Sequence, residues 1–172
     1  IDQTTLQVQP EKGKAIQIKA KKIIIATGSK PTEIPGIPID KKRIITSTEA
    51  LNLPDIPKHL ILIGGGIIGL EMGSVYARLG AKVTVIEFLD TIIPTMDKTM
   101  AKELQKSLKA LGIEFFLKHK VTSAKAKGKE VLVKAEDSKG KEASFKGDYC
   151  IVAVGRSPYT YNLELDKAGI KL

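Results

Sequence analysis

Leu60-Ile61-Leu62-Ile63-Gly64-Gly65-Gly66-Ile67-Ile68-Gly69-Leu70-Glu71-Met72-Gly73 is the stretch on which the reading of this chain turns. An apolar run with no polar break suits a strand buried on both faces, and the glycines after it turn the chain straight into a helix. The spacing Gly64-x-Gly66-x-x-Gly69 is that of a turn that holds a dinucleotide pyrophosphate. A Cβ has no room in the turn at Gly64. Its absence at Gly66 lets a pyrophosphate reach the backbone, and at Gly69 it lets the new helix pack closely on the strand. Free N–H groups and the positive helix end then face the phosphates.

Glycine-rich turns are common, so the context decides. Ile68, Met72, Val75, Tyr76 and Leu79 recur at three- and four-residue steps after the motif, and Gly80 offers a C-cap. A second buried-type strand, Val83 to Ile86, is closed by Glu87. That acid lies about 20 residues past the glycines, where a carboxylate can accept both ribose hydroxyls. The same charge repels a 2′-phosphate, so the pattern favours NAD over NADP.

The 172 residues allow one good core, or one domain with pieces of another. A first residue of Ile1 argues against an unprocessed start. No window approaches the length of a membrane span and no leader is visible. One cysteine permits no internal disulfide and suits a reducing compartment. The net charge of +9 would fit nucleic acid, but the basic residues are scattered lysines apart from Arg43, Arg78 and Arg156, and aromatic residues are only 5%. Phosphate forks favour arginine and single strands need stacking platforms, so no nucleic-acid partner is expected.

In chain order, Thr5 to Val8 and Ala15 to Ala20 alternate as strands, with Ile16 and Ile18 inward, and Ile23 to Ala26 is a continuous apolar run. The proline-rich segment from Pro31 to Pro57, with a short helix at Thr48 to Leu51, reads as a linker. Asp97 can cap a helix with Met100, Leu104, Leu108 and Leu111 on one face, stopped by Gly112. Ile113 to Leu117 is a third parallel strand. Val121 to Ala126, Val131 to Ala135 and a strand around Phe145 make an antiparallel meander, and Tyr149 to Val154 is again a buried parallel strand. The fold class is therefore α/β, a Rossmann-like βαβ parallel sheet with an antiparallel β-meander. One pattern recurs at a constant offset: Lys12-Gly13-Lys14 and Ile24-Ile25-Ala26-Thr27-Gly28-Ser29-Lys30-Pro31 align with Lys139-Gly140-Lys141 and Ile151-Val152-Ala153-Val154-Gly155-Arg156-Ser157-Pro158. Only the second copy has a glycine fingerprint before it, so residues 1–30 read as the tail of a first nucleotide-binding domain.

Together these residues resemble the pyridine nucleotide-disulfide oxidoreductases over essentially the whole chain. The match is carried by Ala26-Thr27-Gly28-Ser29, Thr46 to Leu51, the fingerprint at 64–73, Val85 to Leu89, Leu104 to Leu108, Lys120-Val121-Thr122 and Val154 to Pro158. Glu87-Phe88-Leu89 points to the lipoamide-oxidising branch over the NADPH-using ones, which carry basic residues beyond that strand. That family inserts an NAD domain within an FAD domain and adds a dimer-interface domain. The resemblance implies residues 1–50 as an FAD-binding segment plus linker, 51–155 as the NAD-binding domain and 156–172 as the return into the FAD domain. It implies Gly64, Gly66 and Gly69 on the NAD pyrophosphate, with Gly65, Ile67 and Ile68 in the same loop, and Glu87 on the adenosine ribose. Glu71, Ala153 and Gly155 fall on the nicotinamide side, Val121 near the adenine, and Thr27, Gly28 and Ser29 against FAD. It further implies a homodimer serving 2-oxo acid dehydrogenase complexes, with lipoyl domains as substrate, in bacterial cytoplasm or mitochondrial matrix.

The family's FAD fingerprint, its CxxxxC disulfide, its later Gly-Asp segment and its His-Glu acid/base pair have no counterparts in this sequence. No catalytic residue is expected, and the chain should bind NAD(H) without turnover. Cys150 lies inside an apolar strand as a structural thiol. His59 and His119 are isolated, with no ligand spacing, so no metal is expected. Two alternatives stay open: a free-standing NAD-binding module, and another NAD(P)H-dependent flavin disulfide reductase or transhydrogenase.

Overall fold

The computed structural model describes residues 3–172. The chain divides into two compact units, one running to Lys30 and resuming with Ser157–Leu172, the other Pro31–Arg156.

The larger unit is built on a parallel sheet. Its strands are β4 (Ile44–Ile45), β5 (His59–Ile63), β6 (Lys82–Ile86), β7 (Glu114–Phe116) and β11 (Tyr149–Val152), in the spatial order β4-β11-β5-β6-β7. Every pairing in it is parallel. The helices are α1 (Ser47–Ala50), α2 (Ile67–Arg78) and α3 (Lys98–Ala110). The meander is β8 (His119–Lys127), β9 (Glu130–Asp137) and β10 (Glu142–Gly147), antiparallel throughout and bulged between Val121 and Ser123.

Strand alternation sorts the core into two layers. Leu60, Leu62, Val83, Val85 and Ile151 pack with Ala50, Leu70, Tyr76, Ala101 and Leu108 of the helices. Their sequence neighbours Ile61, Ile63, Ile86, Cys150 and Val152 pack with Ala124, Val131, Val133 and Ala135 of the meander. A sheet covered on both faces explains why its strands are apolar without a break. Each fully buried aliphatic side chain contributes about 1.5–3 kcal/mol of burial free energy before entropy is counted.

Several expectations need correction. The proline-rich segment is no bare linker: Ile37, Ile44, Ile45 and Ala50 are buried in the core, and β4 pairs with β11. The short helix begins at Ser47 rather than Thr48, and Thr46 caps it in a capping box with Glu49. In α2 the buried residues are Gly69, Leu70, Gly73 and Tyr76, while Val75 and Leu79 are exposed. Small residues let the helix lie close to the sheet, which a count of large apolar residues misses. In α3 only Ala101 and Leu108 are buried, and Met100 is exposed. Asp97 caps that helix as expected, accepting from the N–H groups of Thr99 and Met100.

In the smaller unit, β1 (Thr5–Val8) pairs antiparallel with β2 (Ile16–Lys19). Ile16 and Ile18 are exposed, not inward. Ile23 to Ala26 forms no strand, and Ile24 is 90% exposed. The sequence repeat thus survives in its glycines, with Gly13, Gly28, Gly140 and Gly155 all at positive φ, but not in its buried strand. β3 (Ser29–Pro31) and β12 (Arg156–Pro158) form a two-stranded ribbon, and Leu165–Ala168 is a 3-10 turn.

Candidate functional site

The glycine turn sits where β5 ends. The Gly64 N–H donates to the Ile86 carbonyl at 2.9 Å, and its φ of +105° is one that side chains rarely adopt. A Cβ there would lie 2.6 Å from the Ala153 carbonyl oxygen. At Gly69 a Cβ would lie 3.0 Å from the Gly64 oxygen and 3.1 Å from the Ala153 Cβ, so this glycine sets how closely α2 approaches β11. Gly73, outside the six-residue spacing, is tighter still: its Cβ would meet Leu62 Cδ1 at 2.6 Å.

Gly66 differs. It is the N-cap of α2 with extended backbone, and no side chain caps the helix. The nearest atom to a Cβ there would be the Ala153 oxygen at 3.7 Å, so the space before the helix is open. Uncapped N–H groups and the positive helix end facing open space favour an anion.

That space is part of a cleft of about 870 Å³, within the size range of cofactor sites. Its walls include Gly64, Gly66, Ile67 and Ile68 from the turn, Glu87 from the end of β6, Val121 from β8, and Ala153 and Gly155 beyond β11. Apart from Val121 on the meander, these residues converge at the C-terminal ends of the parallel strands β5, β6 and β11, where open α/β sheets place their ligands.

Glu87 is buried, with 9% of its surface exposed. Its Oε2 accepts from the Gly65 N–H at 2.6 Å and its Oε1 from the Leu89 N–H at 2.7 Å. A carboxylate has about four lone-pair directions, so one per oxygen remains for a ligand. Gly65 itself lies beneath this carboxylate and Ile92, and does not line the cleft.

The other expected residues fall elsewhere. Glu71 is exposed on α2 and outside the cleft wall. Thr27, Gly28 and Ser29 belong to the smaller unit, where the Thr27 hydroxyl donates to the Tyr159 carbonyl at 2.6 Å and Gly28 accepts from the Tyr159 N–H at 2.9 Å.

Sequence reasoning missed Ile93, Pro94, His119 and Lys120, which also line the cleft. The segment after Glu87 comes close because the Ile93 N–H donates to the Gly65 carbonyl at 2.9 Å, and His119 because its N–H donates to the Glu87 carbonyl at 2.9 Å. The proline at 94 was the one local sign of a turn there. His119 Nδ1 lies 2.7 Å from the Leu117 carbonyl, which can only accept, so Nδ1 carries the proton. No cluster of His, Cys, Asp or Glu among the described residues could hold a metal. Burial drives the Cys150 pKa far above that of a free thiol, which leaves it inert.

The family model for pyridine nucleotide-disulphide oxidoreductases matches residues 1–172. The chain is 51% identical to dihydrolipoyl dehydrogenase 3 of Pseudomonas putida over 95% of its own length and 35% of the relative's. It is 48% identical to the mitochondrial dihydrolipoyl dehydrogenase of Schizosaccharomyces pombe, over all of this chain and 34% of that one. The Cu(II) complex of the HOCl-induced flavoprotein disulfide reductase RclA from Escherichia coli superposes with a TM-score of 0.86 at 31% identity, covering all of this chain and 38% of that one. The chain therefore spans about a third of the length of the curated relatives it matches.

Proposed function

The chain belongs to the pyridine nucleotide-disulphide oxidoreductase family, and from that premise we propose that it is the NAD(H)-binding part of a dihydrolipoyl dehydrogenase. The observation that carries this reading is the uncapped N-terminus of α2, open at Gly66, with the Glu87 carboxylate on the same cleft. The cradle fits a pyrophosphate, since space is left where a Cβ would intrude, and an acid stands where ribose hydroxyls can donate.

The backbone N–H groups from Gly66 to Gly69, at the uncapped end of α2, are supplied to the phosphates, while those of Gly64 and Gly65 are held by Ile86 and Glu87. Glu87 accepts from the adenosine ribose and disfavours a 2′-phosphate, which selects NAD over NADP. Val121 offers apolar contact to the adenine. Ala153 and Gly155, with Glu71, are assigned to the nicotinamide side, and Thr27, Gly28 and Ser29 to FAD. The bound cofactors supply the redox chemistry, a hydride passing from reduced FAD to NAD+, and the protein's share is to hold and orient them.

The whole protein would reoxidise dihydrolipoamide on the lipoyl domains of 2-oxo acid dehydrogenase complexes, as a homodimer in bacterial cytoplasm or mitochondrial matrix. A two-cysteine centre needs more than the single Cys150 of this sequence, so we assign no turnover to these 172 residues. The identity to dihydrolipoyl dehydrogenases, higher than that to RclA, supports this branch over other flavin disulfide reductases.

Calorimetric titration with NADH and NADPH tests the reading. NADH should bind and NADPH should bind more weakly. Absence of binding by either nucleotide would refute the cleft assignment, and a preference for NADPH would refute the role of Glu87.

A further inference from the structure

Gly65 occupies a variable position of the glycine spacing, yet both its N–H and its carbonyl are bonded to residues distant in the chain. Its N–H donates to Glu87 Oε2 at 2.6 Å and its carbonyl accepts from the Ile93 N–H at 2.9 Å. A Cβ on it would lie 3.1 Å from Ile92 Cγ2 and 3.3 Å from Glu87 Cγ and Oε2. The segment that grips it is itself fixed. Ile92 is fully buried and Ile93 has 6% exposure, Ile93 holds a φ of 38°, and the second carboxylate oxygen of Glu87 is tied to the Leu89 N–H at 2.7 Å.

We propose that Glu87 is a positioning residue for the phosphate-binding turn as well as the acceptor for the ribose, so that one carboxylate couples the two halves of the cofactor site. This deepens the proposed NAD(H) function and rests on it. The geometry requires an acid, because two lone pairs are already engaged by backbone N–H groups and two more must remain for a ribose. Gln offers one oxygen, and its NH₂ would face either the Gly65 or the Leu89 donor. The turn would then lose one of its two anchors and present its N–H groups to phosphate less well, whatever sugar the ligand carried.

The test separates the two roles with a dinucleotide that has no adenosine ribose hydroxyls, nicotinamide 2′,3′-dideoxyadenine dinucleotide. Were Glu87 a ribose acceptor alone, wild type and Glu87→Gln would bind this analogue equally, and that result would overturn the inference while leaving NADH binding by wild type, and with it the proposed function, intact. The expected result is a loss of about tenfold for the analogue as well as for NADH. Amide hydrogen exchange of the cofactor-free wild type gives an answer that needs no folded variant. The Gly65 amide should exchange much more slowly than those of Ile67 and Ile68, and equal rates would overturn the proposal.

Discussion

Gly64 and Ala153 face each other so closely that a methyl group on the glycine would sit 2.6 Å from the alanine's carbonyl oxygen. The atom met is backbone, and the two residues directly follow the paired strands β5 and β11, so neither can give way cheaply. With the positive φ of Gly64 added, Gly64→Ala should cost about 2 kcal/mol or more and lower the melting temperature. Gly66→Ala makes the contrast. Its Cβ fits, so the melting temperature should hold while NADH affinity drops about tenfold or more, because the methyl group stands where the phosphates belong. Calorimetry on the two variants checks both outcomes.

The Tyr76 hydroxyl donates to the Ala50 carbonyl at 2.5 Å and joins α2 to α1. Tyr76→Phe keeps the ring but leaves that buried carbonyl without its partner, a loss of about 1–2 kcal/mol. Urea denaturation should show a lower midpoint with an unchanged slope.

Two carboxylates make the fold sensitive to acid. The Thr46 hydroxyl, followed by its backbone N–H, holds Glu49 below its ordinary pKa of 4.5. Burial works against ionisation of Asp40, but the N–H groups of Arg43, Lys42 and Ile44 outweigh it and hold its pKa below 3.8. Folded values below unfolded ones mean that this stability is complete above the ordinary pKa values and is lost as the pH falls through the folded ones. Asp40→Asn should therefore destabilise the protein near neutral pH and flatten its loss of stability in acid, as denaturation midpoints across the acid range will show.

Cys150 is fully buried, and its burial suppresses the thiolate. An alkylating reagent should leave it untouched in the native protein and label it once denaturant is added. Mass spectrometry that found prompt native labelling would contradict its placement in the sheet.

Much of the framework is local, and local patterns could be read. The apolar run Leu60 to Ile63, the Gly64-x-Gly66-x-x-Gly69 spacing and the Asp97 cap each announce a strand, a turn or a helix start through interactions spanning a few residues. The cleft was legible for the same reason, since parallel strands joined by helices bring all their C-terminal ends to one edge. Burial was read less well. Ile23 to Ala26 has the composition of a buried strand, but no strand pairs with it among the described residues. Val75 and Leu79 follow helical spacing, yet α2 rests on Gly69 and Gly73 instead.

The sequence by itself determined the glycine turn and the kind and order of the strands and helices that follow it, because hydrogen-bond period and backbone freedom are properties of neighbours in the chain. Only the tertiary structure decided that Ile44 and Ile45 complete the sheet beside Cys150 and Ile151, which face of α2 is covered, and that Glu87 holds Gly65. Those outcomes depend on which distant surfaces meet and how near two backbones can come, and no short stretch of sequence encodes either.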